Sequence, residues 1–211
     1  LILEKHGLIT WGPDSKTSYG LTIEMVTRAE LYLAAARRKK TWSLPKYKTL
    51  STNEKEAWLF ENLPLIRKVT SKHKKTILCF NDSAETMEFV NAQGTPQISR
   101  KGPATPDHML RTRRVPLYLN VGAGLVPAHG HPQGAPLQLQ IENYASDHQI
   151  YFKCYQNLLP HAHRKMLDPY PKVILVPGIG AITTGQDLKA AKIVSEIYEH
   201  SISVMKNSSS L

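Results

Sequence analysis

Four groups of residues have types and spacings that can do chemistry. His6 follows a short apolar run, Leu1-Ile2-Leu3, and precedes Gly7. Taken alone, this imidazole at a strand end beside a glycine reads as a histidine satisfied by local hydrogen bonds; the alternative is one ligand of a catalytic zinc, which takes three protein ligands and keeps one position open. His129-Gly130-His131 and His161-Ala162-His163 are H-x-H pairs. Such a pair on a strand directs both rings to one face. The first, however, lies in a stretch rich in Gly, Pro and His. The second follows Pro160 at a helix end, where imidazoles meet the helix dipole. Neither has a third ligand nearby, and neither is assigned a metal. Asp107, His108, Arg111 and Arg113 follow the rigid loop Gly102-Pro103-Ala104-Thr105-Pro106. Guanidinium forks behind such a loop suit a phosphate or carboxylate, so these four are the candidate substrate-binding residues. The structural alternative is that Asp107 caps a turn while the arginines tie down neighbouring loops or subunits. Pro177-Gly178-Ile179-Gly180 follows an apolar run, but Thr183 stands where a dinucleotide fingerprint needs its third glycine. The acidic residues about 20 positions on, Glu196 and Glu199, fall inside a helix, so these glycines read as turn residues.

The elements that must position these groups alternate between strand and helix. Residues 1–5 and 8–10 read as short strands separated by turns at Gly7 and Gly12, and Asp14 caps a helix over 15–40. Pro45 ends that region, and a second helix over 52–69 is expected to break or kink near Pro64. A strand over 75–80 leads through the turn Asn81-Asp82-Ser83 into a short helix over 84–91. Another strand is expected over 115–121, a surface loop over 122–136, a helix over 137–159, a buried strand over 173–176 and a closing helix over 188–205. Residues 206–211 have linker composition. The expected fold class is α/β, a mixed or antiparallel sheet covered by helices. Residues 1–45 and 50–205 form separate domains.

Of the 211 residues 41% are hydrophobic, enough for one domain plus the edge of another. The net charge is +10, but the basic runs are short, scattered and without interleaved aromatics, which argues against nucleic acid. No apolar run reaches the roughly 18 residues of a membrane span, so no membrane partner is expected. The first residues have no basic leader and read as a strand cut from a longer chain rather than a signal peptide. Cys79 and Cys154, without C-x-x-C spacing, read as two reduced, partly buried thiols of a cytoplasmic protein.

The two ends of the chain resemble each other. At an offset of 173 positions Gly7, Ile9, Thr10, Gly12, Asp14 and Lys16 fall on Gly180, Ile182, Thr183, Gly185, Asp187 and Lys189. Leu1-Ile2-Leu3 falls on Ile174-Leu175-Val176, and His6 on Ile179. Either a module is duplicated and its second copy has lost the histidine, or a common strand–turn–helix unit recurs by chance.

Three segments in order carry a family resemblance. His6-Gly7-Leu8-Ile9-Thr10-Trp11-Gly12 resembles the HGxxTxG element of class II aldolases and their adducin-like relatives. The stretch from Gly102 to His108 with Arg111-Thr112-Arg113, and Asp168-Pro169-Tyr170-Pro171 running into Val173-Ile174-Leu175-Val176-Pro177-Gly178-Ile179-Gly180, are similar to bifunctional class II aldolase/short-chain dehydrogenases. The resemblance implies a parent enzyme that cleaves rhamnulose 1-phosphate and oxidises the lactaldehyde product with NAD. It makes His6 the third zinc ligand and a sugar phosphate the substrate. It places the other two zinc histidines and the catalytic glutamate before Leu1, and the dehydrogenase after Leu211. The chain is therefore expected to be an internal fragment without a complete active site, needing neither zinc nor NAD alone, and part of a homo-oligomer. The rival expectation is a non-catalytic adducin-like binding or scaffolding protein.

Overall fold

The computed structural model describes residues 1–4, 6–36, 43–120, 136–161 and 164–209. It begins with an antiparallel hairpin, β1 (Ile2–Leu3) and β2 (Gly7–Leu8), followed by α1 (Ser15–Ala36). The second helix, α2 (Thr52–Thr70), starts at a reciprocal cap. The Ser51 N–H donates to Glu54 Oε2 at 2.8 Å and the Glu54 N–H to Ser51 Oγ at 3.5 Å. Next come β3 (Ile77–Asn81), α3 (Ala84–Asn91), α4 (Thr95–Ile98), a 3-10 turn at Ser99–Lys101, α5 (Pro106–Thr112) and β4 (Leu117–Tyr118). The chain closes with α6 (Leu137–Tyr155), β5 (Val173–Val176), β6 (Gly180–Gly185) and α7 (Leu188–Ser209).

Four strands form one mixed sheet in the order β3-β6-β5-β4, with β4 parallel to β5 and the other pairs antiparallel. The α/β class is as the sequence indicated. Side chains alternate across the sheet, so β5 feeds both faces. Ile174 and Val176 meet Ile66 and Val69 of α2 and Ile141 and Ala145 of α6. Val173 and Leu175 meet Phe89 and Val90 of α3 and Val194, Tyr198 and Ile202 of α7. Each fully buried aliphatic or aromatic side chain here contributes about 1.5–3 kcal/mol.

Several expectations need correction. Pro64 sits inside α2 without interrupting it, so the break expected there does not occur. Its ring leaves the carbonyl of Phe60, one turn earlier, without the usual helical donor, and Phe60 lies on the exposed side of the helix. The 206–211 tail is not a linker from its start, because α7 runs to Ser209. Lys206 there donates to Glu88 Oε2 at 2.6 Å, tying the last turn to α3. The strand expected over 115–121 is only Leu117–Tyr118 among the described residues. Cys79 is partly buried as expected, but Cys154 is exposed. Among the described residues no helix is long and apolar enough to cross a membrane.

Candidate functional site

His6 lies in the β1–β2 turn with its ring exposed. Its Nδ1 donates to the Glu4 carbonyl at 3.0 Å; a carbonyl only accepts, so that bond fixes the tautomer. In a neutral imidazole with that hydrogen bond, Nε2 carries the lone pair, the form in which a histidine coordinates a metal. Among the described residues no three His, Cys, Asp or Glu side chains gather as a metal site.

The hydrogen bonds around His6 recur around Ile179 at the same offset of 173. Ile2 pairs with Leu8 and Leu3 with Gly7; Leu175 pairs with Ala181 and Val176 with Gly180. The His6 N–H donates to the Leu3 carbonyl and the Ile179 N–H to the Val176 carbonyl, both at 3.1 Å. Thr10 Oγ1 donates to Ser18 O at 2.9 Å, and Thr183 Oγ1 to Ala191 O at 2.8 Å. Asp14 Oδ1 accepts from the Thr17 N–H and Asp187 Oδ1 from the Ala190 N–H, each at 2.7 Å. Both following helices are 22 residues long. Gly7 and Gly180 share the positive φ that an L side chain avoids, 130° and 147°. The surroundings differ. Ile179 is wholly buried, whereas Leu1, Ile2 and Trp11 are 64%, 80% and 67% exposed and α1 buries no residue.

The four candidate substrate-binding residues do not converge. Asp107 and Arg111 are exposed on α5. His108 turns its ring edge-on to His200 of α7, centroids 5.9 Å apart. Arg113 is buried, at a φ of 70° that is the only positive value outside glycine among the described residues. Its guanidinium donates to the Asp168 carbonyl at 3.2 Å.

Around Arg113 the fold assembles a group that sequence spacing does not reveal. Asp168 Oδ1 lies 3.5 Å from His73 Nδ1, and His73 packs on the Tyr170 ring. Burial, and then the Arg113 charge, pulls the Lys172 ammonium below its usual range, while Asp168 acts against the shift. His148 on α6 is lowered by burial and then by Arg113 and Arg114. Arg113 Nε and Asp168 Oδ1 are buried without a hydrogen-bond partner among the described residues. The sequence signals were Arg113 itself and the Asp-Pro-Tyr-Pro stretch. The remaining members come from segments dozens of residues apart.

Of the H-x-H pairs, His161 is exposed, while His129, His131 and His163 lie outside the described residues. Gly178 and Gly180 turn the chain from β5 into the antiparallel β6. A strand, not a helix, follows them, so no helix N-terminus is offered to a pyrophosphate.

Residues 57–211 match the family model described as aldolase class II, second domain. The chain is 32% identical, over its whole length, to an uncharacterized oxidoreductase, YuxG, of Bacillus subtilis (strain 168), and spans 30% of that protein's length. No solved structure matches it. With most of its length matching this one family model, the chain belongs to the class II aldolase second-domain family.

Proposed function

We propose that this chain is the central part of a longer cytoplasmic enzyme, a metal-dependent sugar-phosphate aldolase joined to an NAD-dependent dehydrogenase. In this reading residues 1–45 end the metal-bearing aldolase domain, and 50–205 are a second copy of the module that has lost its metal site. The observation that carries it is the coincidence of strand register, hydrogen bonds and helix length between the units around His6 and Ile179. An aliphatic side chain cannot ligate zinc, so the second copy keeps the fold without that site. In that copy β3 pairs along β6 from Ala181 to Gly185. The exposed β2 edge and α1 face are where the remainder of the first module would seat in the same way. Bound zinc polarises a substrate carbonyl; His6 contributes an oriented imidazole, with Nδ1 occupied by Glu4. The oxidoreductase name of the relative supports the dehydrogenase part.

The test is His6→Ala in the full-length protein, reading bound zinc and ketose 1-phosphate cleavage together. Both should fall to background while NAD-dependent oxidation of a short hydroxyaldehyde persists. Unchanged zinc and turnover would reject the assignment. The isolated chain should show neither activity; turnover by it alone would equally sink the reading.

A further inference from the structure

A cleft of about 360 Å³ opens beside β4, the edge strand of the sheet, between α6 and the 3-10 turn at Ser99–Lys101. Its size falls in the range of small-molecule sites. Gln140, Asn143, Asp147 and His148 reach it from α6 at helical spacing, so one stripe of that helix faces the cleft while Ile141 and Ala145 face the core. The aromatic walls are already anchored. Tyr144 Oη donates to the Val115 carbonyl at 2.7 Å and Tyr118 Oη to the Val90 carbonyl at 3.2 Å. The charged lining is unbalanced. Arg100, Arg114 and His148 line it together with the single carboxylate of Asp147, and none of these four forms an ion pair among the described residues. Arg114 rests on the Tyr151 ring at 4.8 Å, which orients its guanidinium without neutralising it.

We propose that this cleft binds a small metabolite through an anionic group, a phosphate or a carboxylate, held by Arg100 and Arg114 with Asn143 as a further donor. Guanidinium forks match such oxyanions in geometry, and a cleft wall excludes competing water better than an open surface does. Burial and then Arg113 and Arg114 disfavour a proton on His148, with Asp168 acting against them, and an anion bound beside Arg114 would oppose the electrostatic part of that effect. The site lies in the second domain and stands independently of any metal at His6.

The chain is titrated with inorganic phosphate and, separately, with succinate, at ionic strength held constant with chloride, following the NMR signals of His148 and Asn143. Saturable shifts at both residues are expected with one anion: phosphate alone identifies a phosphoryl ligand, succinate alone a carboxylate. The double variant Arg100→Gln/Arg114→Gln should weaken binding about tenfold or more through the loss of charge-assisted bonds, whereas Arg28→Gln on α1 should leave it unchanged. Both substituted arginines are exposed, and an unaltered melting temperature confirms the fold. Non-saturating shifts with both anions overturn the proposal, as does undiminished binding by the double variant or an equal loss in Arg28→Gln.

Discussion

At the scale of single residues, the sheet's second face contains an uncompensated hydroxyl. Tyr198 Oη is buried with no hydrogen-bond partner among the described residues, although its ring packs in the core with Val194 and Ile202. Deleting an unsatisfied buried polar atom is neutral or stabilising, whereas deleting the ring opens a cavity. Tyr198→Phe should therefore leave the denaturation midpoint unchanged or raised, and Tyr198→Ala should cost about 3–5 kcal/mol; a clear loss in the Phe variant would mean that the hydroxyl is satisfied. His148 gives a pH prediction. Its folded-state pKa lies below the ordinary 6.5, so the folded protein binds its proton less readily than the unfolded chain. The stability this contributes is fully present above pH 6.5 and is lost as pH falls from there through the lower folded value. Unfolding measured across that window should show a shallower acid loss in His148→Gln than in the parent chain; identical slopes would remove His148 from the account.

At the scale of elements, two glycines make opposite demands. A Cβ on Gly185 would stand 2.3 Å from the Ala191 backbone nitrogen, so β6 and the first turn of α7 meet at a distance only glycine allows. Gly185→Ala should push the two apart and destabilise the domain by more than about 2 kcal/mol, read as a lowered urea midpoint. Gly20, within α1, is open: a Cβ there would meet no atom within 4 Å beyond its own helical backbone. Gly20→Ala should raise helix content by circular dichroism, with a gain of about 0.5–1 kcal/mol in that helix. An unchanged or raised midpoint in Gly185→Ala would show that close approach does not govern that position. The capped helices followed their local signals. Ser51 with Glu54, Asp14 and Asp187 each satisfy N–H groups within their own first turn, so neighbouring residues alone encode where those helices begin.

At the scale of the whole molecule, two units of the same local design occupy different environments. α7 lies over β6 and β3 with Ala191, Val194, Tyr198 and Ile202 buried, whereas α1 buries none of its residues. Local opening follows packing, so native-state hydrogen exchange on this chain should show weak protection along α1 and strong protection along α7. Equal protection in both helices would contradict the exposed α1 face. The Arg113–Asp168–His73 group also belongs to this scale, because its members come from the segment after α5, the approach to β5 and the loop after α2.

Local information in the sequence determined the turns at Gly7 and Gly180, the Asp-capped helix starts, the continuous apolar run of the buried β5 and the offset of 173 that aligns His6 with Ile179. Each depends on neighbours within a few residues, where glycine conformation, side-chain caps and apolar runs act directly. Tertiary structure alone decided that Pro64 remains inside α2, at a place where Phe60, one turn earlier, is exposed. It also decided that the four polar residues of the 107–113 segment part company, because α5 turns His108 toward α7 and Arg113 toward Asp168. The cleft beside β4 is of the same kind. Its arginines precede α6 by dozens of residues, and no spacing rule connects charges that meet only when a sheet edge and a helix face close on each other.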